Sequence, residues 1–186
     1  LGSKLPVSHA AVWKAGSVVE TIWSVRANHG GGYQYRLCPL QAELTEACFQ
    51  ATPLEFAGNS RLMMADGQMV RINSTFVSEG TRPPGSTWQM NPLPMTHDYV
   101  AHGHYPEGQP PGHPFPPPCH DPCPAEGCPG LSQGLCSGEW MTNITLYDQL
   151  RVPASIAPGE WVLGFRWDCE SSAQVWQSCA DITITN

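Results

Sequence analysis

The residues in this chain best suited to chemistry are its histidines and cysteines, and most of them are clustered. Five of the 7 histidines (His97, His102, His104, His113 and His120) fall within residues 92–130, together with Cys119, Cys123 and Cys128. Imidazole and thiolate are the usual zinc donors, but zinc sites favour C-x2-C and H-x3-H spacings, and Cys119-x3-Cys123-x4-Cys128 does not match them. Disulfides with solvated histidines are the simpler reading of this cluster. A second candidate is His29, which stands before three glycines in Ala27–Pro39, ANHGGGYQYRLCP. A histidine there serves either as a turn residue or as a ligand. The chain has no nucleophile elbow, P-loop, dinucleotide fingerprint or HExxH motif. Its carboxylates are too scattered to nominate a glycosidase pair.

The cysteines also indicate the compartment. There are 8 of them: Cys38, Cys48, Cys119, Cys123, Cys128, Cys136, Cys169 and Cys179. Two sequons accompany them, at Asn73 and Asn143. An even cysteine count with N-glycosylation acceptors implies a secreted, extracellular glycoprotein with up to four disulfides, whose connectivity spacing alone does not give. Lys and Arg total 9 against 16 Asp and Glu, a formal charge of −7, with no basic face. That balance argues against a nucleic-acid partner. No apolar run is long enough for membrane insertion. The start, LGSKLPVSH, reads as a mature or processed end.

Short alternating segments must position these groups. In SVVETIWSVR, residues 17–26, Val19, Thr21, Trp23 and Val25 share one side. Tyr33–Cys38 reads as a second strand. Met69–Val77 reads as a third, with Val70, Ile72 and Phe76 toward the core and Asn73 outward. Near the C-terminus, Thr145–Val152 is followed by EWVLGFRWDC, where Trp161, Leu163, Phe165 and Trp167 alternate with Val162, Gly164, Arg166 and Asp168. CADITIT is the last strand, and one short helix is expected around Leu44–Phe49. Short strands with frequent turns predict an all-β, antiparallel, immunoglobulin-like β-sandwich rich in disulfides. The predicted organisation is an N-terminal arm (1–12) and one domain (13–186). Within that domain, residues 92–130 form a proline-rich insertion, partly polyproline II.

Three of these segments taken together carry a resemblance. ANHGGGYQYRLCP, LTEACFQATPLEF and FRWDCESSAQVWQSCADITI, in this order, are similar to the lytic polysaccharide monooxygenases of the animal and oomycete type. The match covers roughly residues 13–91 and 136–186. The resemblance implies an antiparallel sandwich and a copper ion held in a histidine brace. His29 would be the internal ligand, and Trp176, five residues before Asp181, would stand on the copper axis where the family has Tyr or Phe. The other brace ligand in the family is a mature N-terminal histidine. Here the chain starts at Leu1, and His9 has a peptide-bonded nitrogen. The expectation is therefore a non-catalytic relative with no cofactor, in which His29 is a loop residue. The alternatives are a polysaccharide-binding module, or a copper-dependent monooxygenase if the chain is incomplete.

The same comparison implies that the family's first strand is missing, and a sandwich short of a strand leaves an open edge. The arm LGSKLPVSHAAVW, through Leu5, Val7, Val12 and Trp13, would fill it by folding back or by entering a neighbouring copy. Entry into a neighbour is donor-strand complementation and builds a filament. The expected partners are thus the chain itself as a homopolymer, covalent glycans, and polysaccharide under the alternative reading.

Overall fold

The computed structural model describes residues 6–7, 11–24, 30–63, 67, 69–92, 145–169 and 173–186. Leu5, His9, Val25, His29, Asn143, Cys119, Cys123, Cys128 and Cys136 lie outside them, as does the proline-rich insertion beyond Pro92.

The chain folds as an immunoglobulin-like β-sandwich. Its strands are β1 (Ala11–Lys14), β2 (Val18–Ser24), β3 (Gly32–Pro39), β4 (Glu55–Phe56), β5 (Arg61–Met63), β6 (Met69–Arg71), β7 (Phe76–Val77), β8 (Trp88–Met90), β9 (Thr145–Arg151), β10 (Gly159–Asp168) and β11 (Val175–Thr185). One short helix, α1 (Glu46–Gln50), follows β3. One sheet runs β1-β11-β10-β3-β8-β7; the other runs β2-β9-β5-β6, with β4 also on β9. All pairings are antiparallel except β1 with β11, which is parallel.

The alternation read from sequence sets the inward faces. On β2, Thr21 is buried and Val19 and Trp23 are half-buried, while Val18, Glu20, Ile22 and Ser24 face out. On β10, Leu163 and Trp167 are buried, and Trp161 and Phe165 pack against the core. Aromatic rings fill the space between the sheets. Trp23 lies 4.9 Å from Tyr33, 5.1 Å from Phe165 and 5.8 Å from Trp167 between ring centroids. Offset and edge-on rings at such distances add to plain area burial.

Three sequence expectations need correction. Met69–Val77 is two strands, with β6 in one sheet and β7 in the other. The intervening Ser74 turns the chain: its N–H donates to Asn59 Oδ1 (3.3 Å), and its Oγ accepts from the Ser60 N–H (2.9 Å). Ile72 is buried as expected, but Phe76 is 41% exposed, its ring 5.3 Å from that of Phe56. Asn73 is exposed between the two strands. The last strand begins at Val175, before the CADITIT segment. The sheets are not wholly antiparallel, because the arm end at β1 joins in parallel.

Candidate functional site

A buried polar clamp ties the two sheets together. On β9, Leu146 and Leu150 face the core, and Asp148 shares their parity and is fully buried. Its carboxylate is the acceptor for three hydroxyls. Tyr33 Oη donates to Oδ1 at 3.1 Å, Tyr35 Oη donates to Oδ2 at 2.8 Å, and Ser60 Oγ also donates to Oδ1. Ser60 Oγ in turn accepts from Gln89 Nε2 at 2.6 Å. The clamp thus joins β3 and β8 of one sheet to β9 of the other. Burial raises the Asp148 pKa from its ordinary 3.8, against the lowering effect of its hydroxyl donors. Burial first, and then the Asp148 charge, hold both tyrosines well above the usual phenol range, so they remain donors. Sequence reading did not nominate Asp148. The signal was its parity with two leucines, which leaves a carboxylate no route to water.

On the outer face of the six-stranded sheet lies an ion-pair cluster organised by α1. Thr45 caps the helix by accepting from the Cys48 N–H (3.2 Å), and the Cys38–Cys48 disulfide fastens it to β3. Glu46 in the first turn receives Arg36 Nη1 at 2.5 Å, Arg166 Nη1 at 2.8 Å and Gln50 Nε2 at 2.9 Å. Partial burial works against ionising Glu46, but the hydrogen bonds from Gln50 and Arg36 and the two guanidinium charges outweigh it. Its carboxyl therefore sits below the usual range. Arg166 also grips Asp168 through Nε–Oδ1 (2.6 Å) and Nη2–Oδ2 (3.0 Å). A cleft of about 510 Å³ opens beside this cluster, with Trp88, Arg82 and Gln50 on its walls.

Phe49 seats the helix on Gly164 of β10. A Cβ at Gly164 would lie 2.9 Å from the Phe49 ring. The disulfide and the Glu46 pairs limit how far α1 can withdraw. Gly164→Val is therefore expected to cost roughly 1–3 kcal/mol, the usual range for overpacking. A urea unfolding midpoint unchanged from wild type would show that α1 yields freely.

The residues nominated from sequence are only partly brought together. Trp176 faces Trp167 in the β10–β11 register and is 52% exposed. Its indole nitrogen carries a proton and offers no lone pair for axial ligation. Among the described residues no three His, Cys, Asp or Glu side chains converge as a metal site. The brace candidates His29 and His9 lie outside the described residues. Of the arm residues, Trp13 is buried, whereas Val7 and Val12 are 47% and 66% exposed. Cys169 and Cys179 do not pair with each other. The register puts Cys179 opposite Gly164, about 17 Å along the hairpin from Cys169 at the usual strand rise, against the 4.4–6.8 Å between Cα atoms that a disulfide spans. Among the described residues no helix is long and apolar enough to cross a membrane.

No protein-family model matches the chain, and no curated protein does. Among solved structures, it is similar to an AA15 lytic polysaccharide monooxygenase from Thermobia domestica in the Cu(I) state, with 16% identity over 95% of this chain and a TM-score of 0.46. The chain spans 63% of that protein's length. It is also similar to a type I cohesin from Pseudobacteroides cellulosolvens, with 11% identity, 95% and 88% of the two chains covered and a TM-score of 0.30. A third likeness is to AggA, the major subunit of aggregative adherence fimbriae type I from Escherichia coli, with 10% identity, 97% and 92% covered and a TM-score of 0.23.

Proposed function

We propose that this chain is a secreted, extracellular structural subunit without catalysis of its own, which assembles head to tail through its N-terminal arm. The observation that supports the reading is the place of β1. It closes one end of the six-stranded sheet with only four residue pairs, Ala11↔Ile182 to Lys14↔Thr185, and is the one strand among the described residues that pairs in parallel. A short terminal edge strand with one large anchor, Trp13, holds the arm at the end of β11, from which the residues before it can reach a neighbouring copy at little structural cost. N-glycosylation at Asn73 and Asn143 and further disulfides belong to the same reading. The exposure of Asn73 supports the first of these sites.

The test is electron microscopy of the purified protein at neutral pH without reductant. Uniform filaments are expected, and deletion of residues 1–12 is expected to leave dispersed particles. Filaments that survive the deletion would rule out the arm. A second reading, polysaccharide binding, is favoured by the cleft beside Trp88, where an aromatic face and paired planar polar groups suit a sugar ring. Dispersed wild-type particles would direct the work to oligosaccharide binding and its loss in Trp88→Ala.

A further inference from the structure

The edge of β11 is only partly used. β10 covers one side of the strand from Val175 to Ile184 in unbroken register. On the other side β1 reaches only Ile182–Thr185. Among the described residues, no strand pairs with that side of Val175–Ala180. All six of these residues are exposed, including Val175 and Trp176. They include no charge and no proline, the devices that normally protect an edge from pairing.

The hydrogen-bond parity of this edge is set by its occupied end. Ala15 donates its N–H to the Thr185 carbonyl at 2.9 Å. Strand groups alternate sides, so odd-numbered residues of β1 and β11 face one another across the edge. Continuing the register backward places Leu5 opposite Trp176, Val7 opposite Ser178 and His9 opposite Ala180. Two features of the arm sequence suit that register. Leu5 and Val7 share the parity of the buried Trp13 and would cover Trp176. Pro6 is even-numbered, so its missing N–H would fall on the side facing away from β11. In their own chain, Pro6 and Val7 are exposed and belong to no strand.

We propose that Val175–Ala180 is the acceptor edge for the segment LPVSH (Leu5–His9) of a second copy, added as a parallel strand end to end with the host's own β1. This rests on the assembly reading above and gives it a site. In that register the Leu5 and Val7 carbonyls would accept from the N–H groups of Gln177 and Cys179, and the Val175 and Gln177 carbonyls would accept from the Leu5 and Val7 N–H groups.

Two measurements on the full-length protein test it. Gln177→Pro removes one edge donor, while parity leaves the ladder to β10 intact; Gln177→Ala changes only the side chain. The proline variant is expected to raise the critical concentration for filaments about tenfold or more, and the alanine variant to leave it unchanged. In case Gln177→Pro fails to fold, a photo-crosslinker at Val7 gives the second measurement, using mixed isotope-labelled and unlabelled protein. Cross-links between copies at residues 177–179 are expected. Filaments insensitive to Gln177→Pro but abolished by the arm deletion would overturn this edge and leave the assembly reading standing. Cross-links within one chain would show that the arm fills its own edge. A wild-type protein that forms no filaments would overturn both.

Discussion

Asp148→Ala is expected to cost roughly 3–5 kcal/mol, the range for removing one partner of a buried charged network. The variant would leave Tyr33, Tyr35 and Ser60 hydroxyls facing one another with no common acceptor. Each stranded donor keeps its desolvation penalty and loses its bond. Against a total stability of about 5–15 kcal/mol for a domain, this brings the variant close to unfolding. Urea denaturation followed by tryptophan fluorescence measures it. A cost below 1 kcal/mol would mean that water replaces the carboxylate.

The clamp also carries a pH dependence of definite sign. The Asp148 pKa is raised in the folded state, with desolvation the leading cause. Over the window between the unfolded and folded values, the native state therefore holds more proton than the unfolded chain, and stability falls as pH rises. The contribution is fully present below about pH 4, the unfolded value, and is lost as pH passes through the folded one. In Asp148→Asn this slope is expected to vanish. Unfolding midpoints of the two proteins compared between acid and neutral pH should diverge in that sense, and parallel curves would contradict it.

Trp13→Ala is the second large expected effect, about 3–5 kcal/mol for truncating a buried tryptophan. Trp13 is 7% exposed and is the large anchor of a four-residue strand. Its register partner is the buried Ile184, and the Thr185 hydroxyl donates to its carbonyl at 3.4 Å. Without the indole, β1 has little to hold it on β11. Selective loss of amide-exchange protection at Thr183 and Thr185, whose N–H groups face β1, is expected, with β3 and β10 staying protected. Uniform loss across the sandwich would mean that Trp13 supports the whole core and not β1 alone. Because the proposed assembly runs through the arm, the same variant is also informative under the electron microscope.

The sequence by itself determined the inward and outward faces of the strands, because the two-residue period is a local property of an extended chain. Val19, Thr21 and Trp23 on β2, and Leu163 and Trp167 on β10, were legible for that reason. So was the short helix carrying Glu46, and so was the disulfide bonding implied by the cysteines, seen in Cys38–Cys48. Tertiary structure decided which strands meet, because pairing joins residues far apart in sequence and no local pattern encodes it. Ala11 meets Ile182 and Tyr35 meets Asp148 for this reason. The break in Met69–Val77 had the same origin: an alternating pattern continues through Ser74, but hydrogen bonds from a distant turn redirect the chain there. Asp148 is the clearest division between the two. Its parity already placed a carboxylate in the core, but only the arrival of two tyrosines and a serine from other strands makes that burial tolerable.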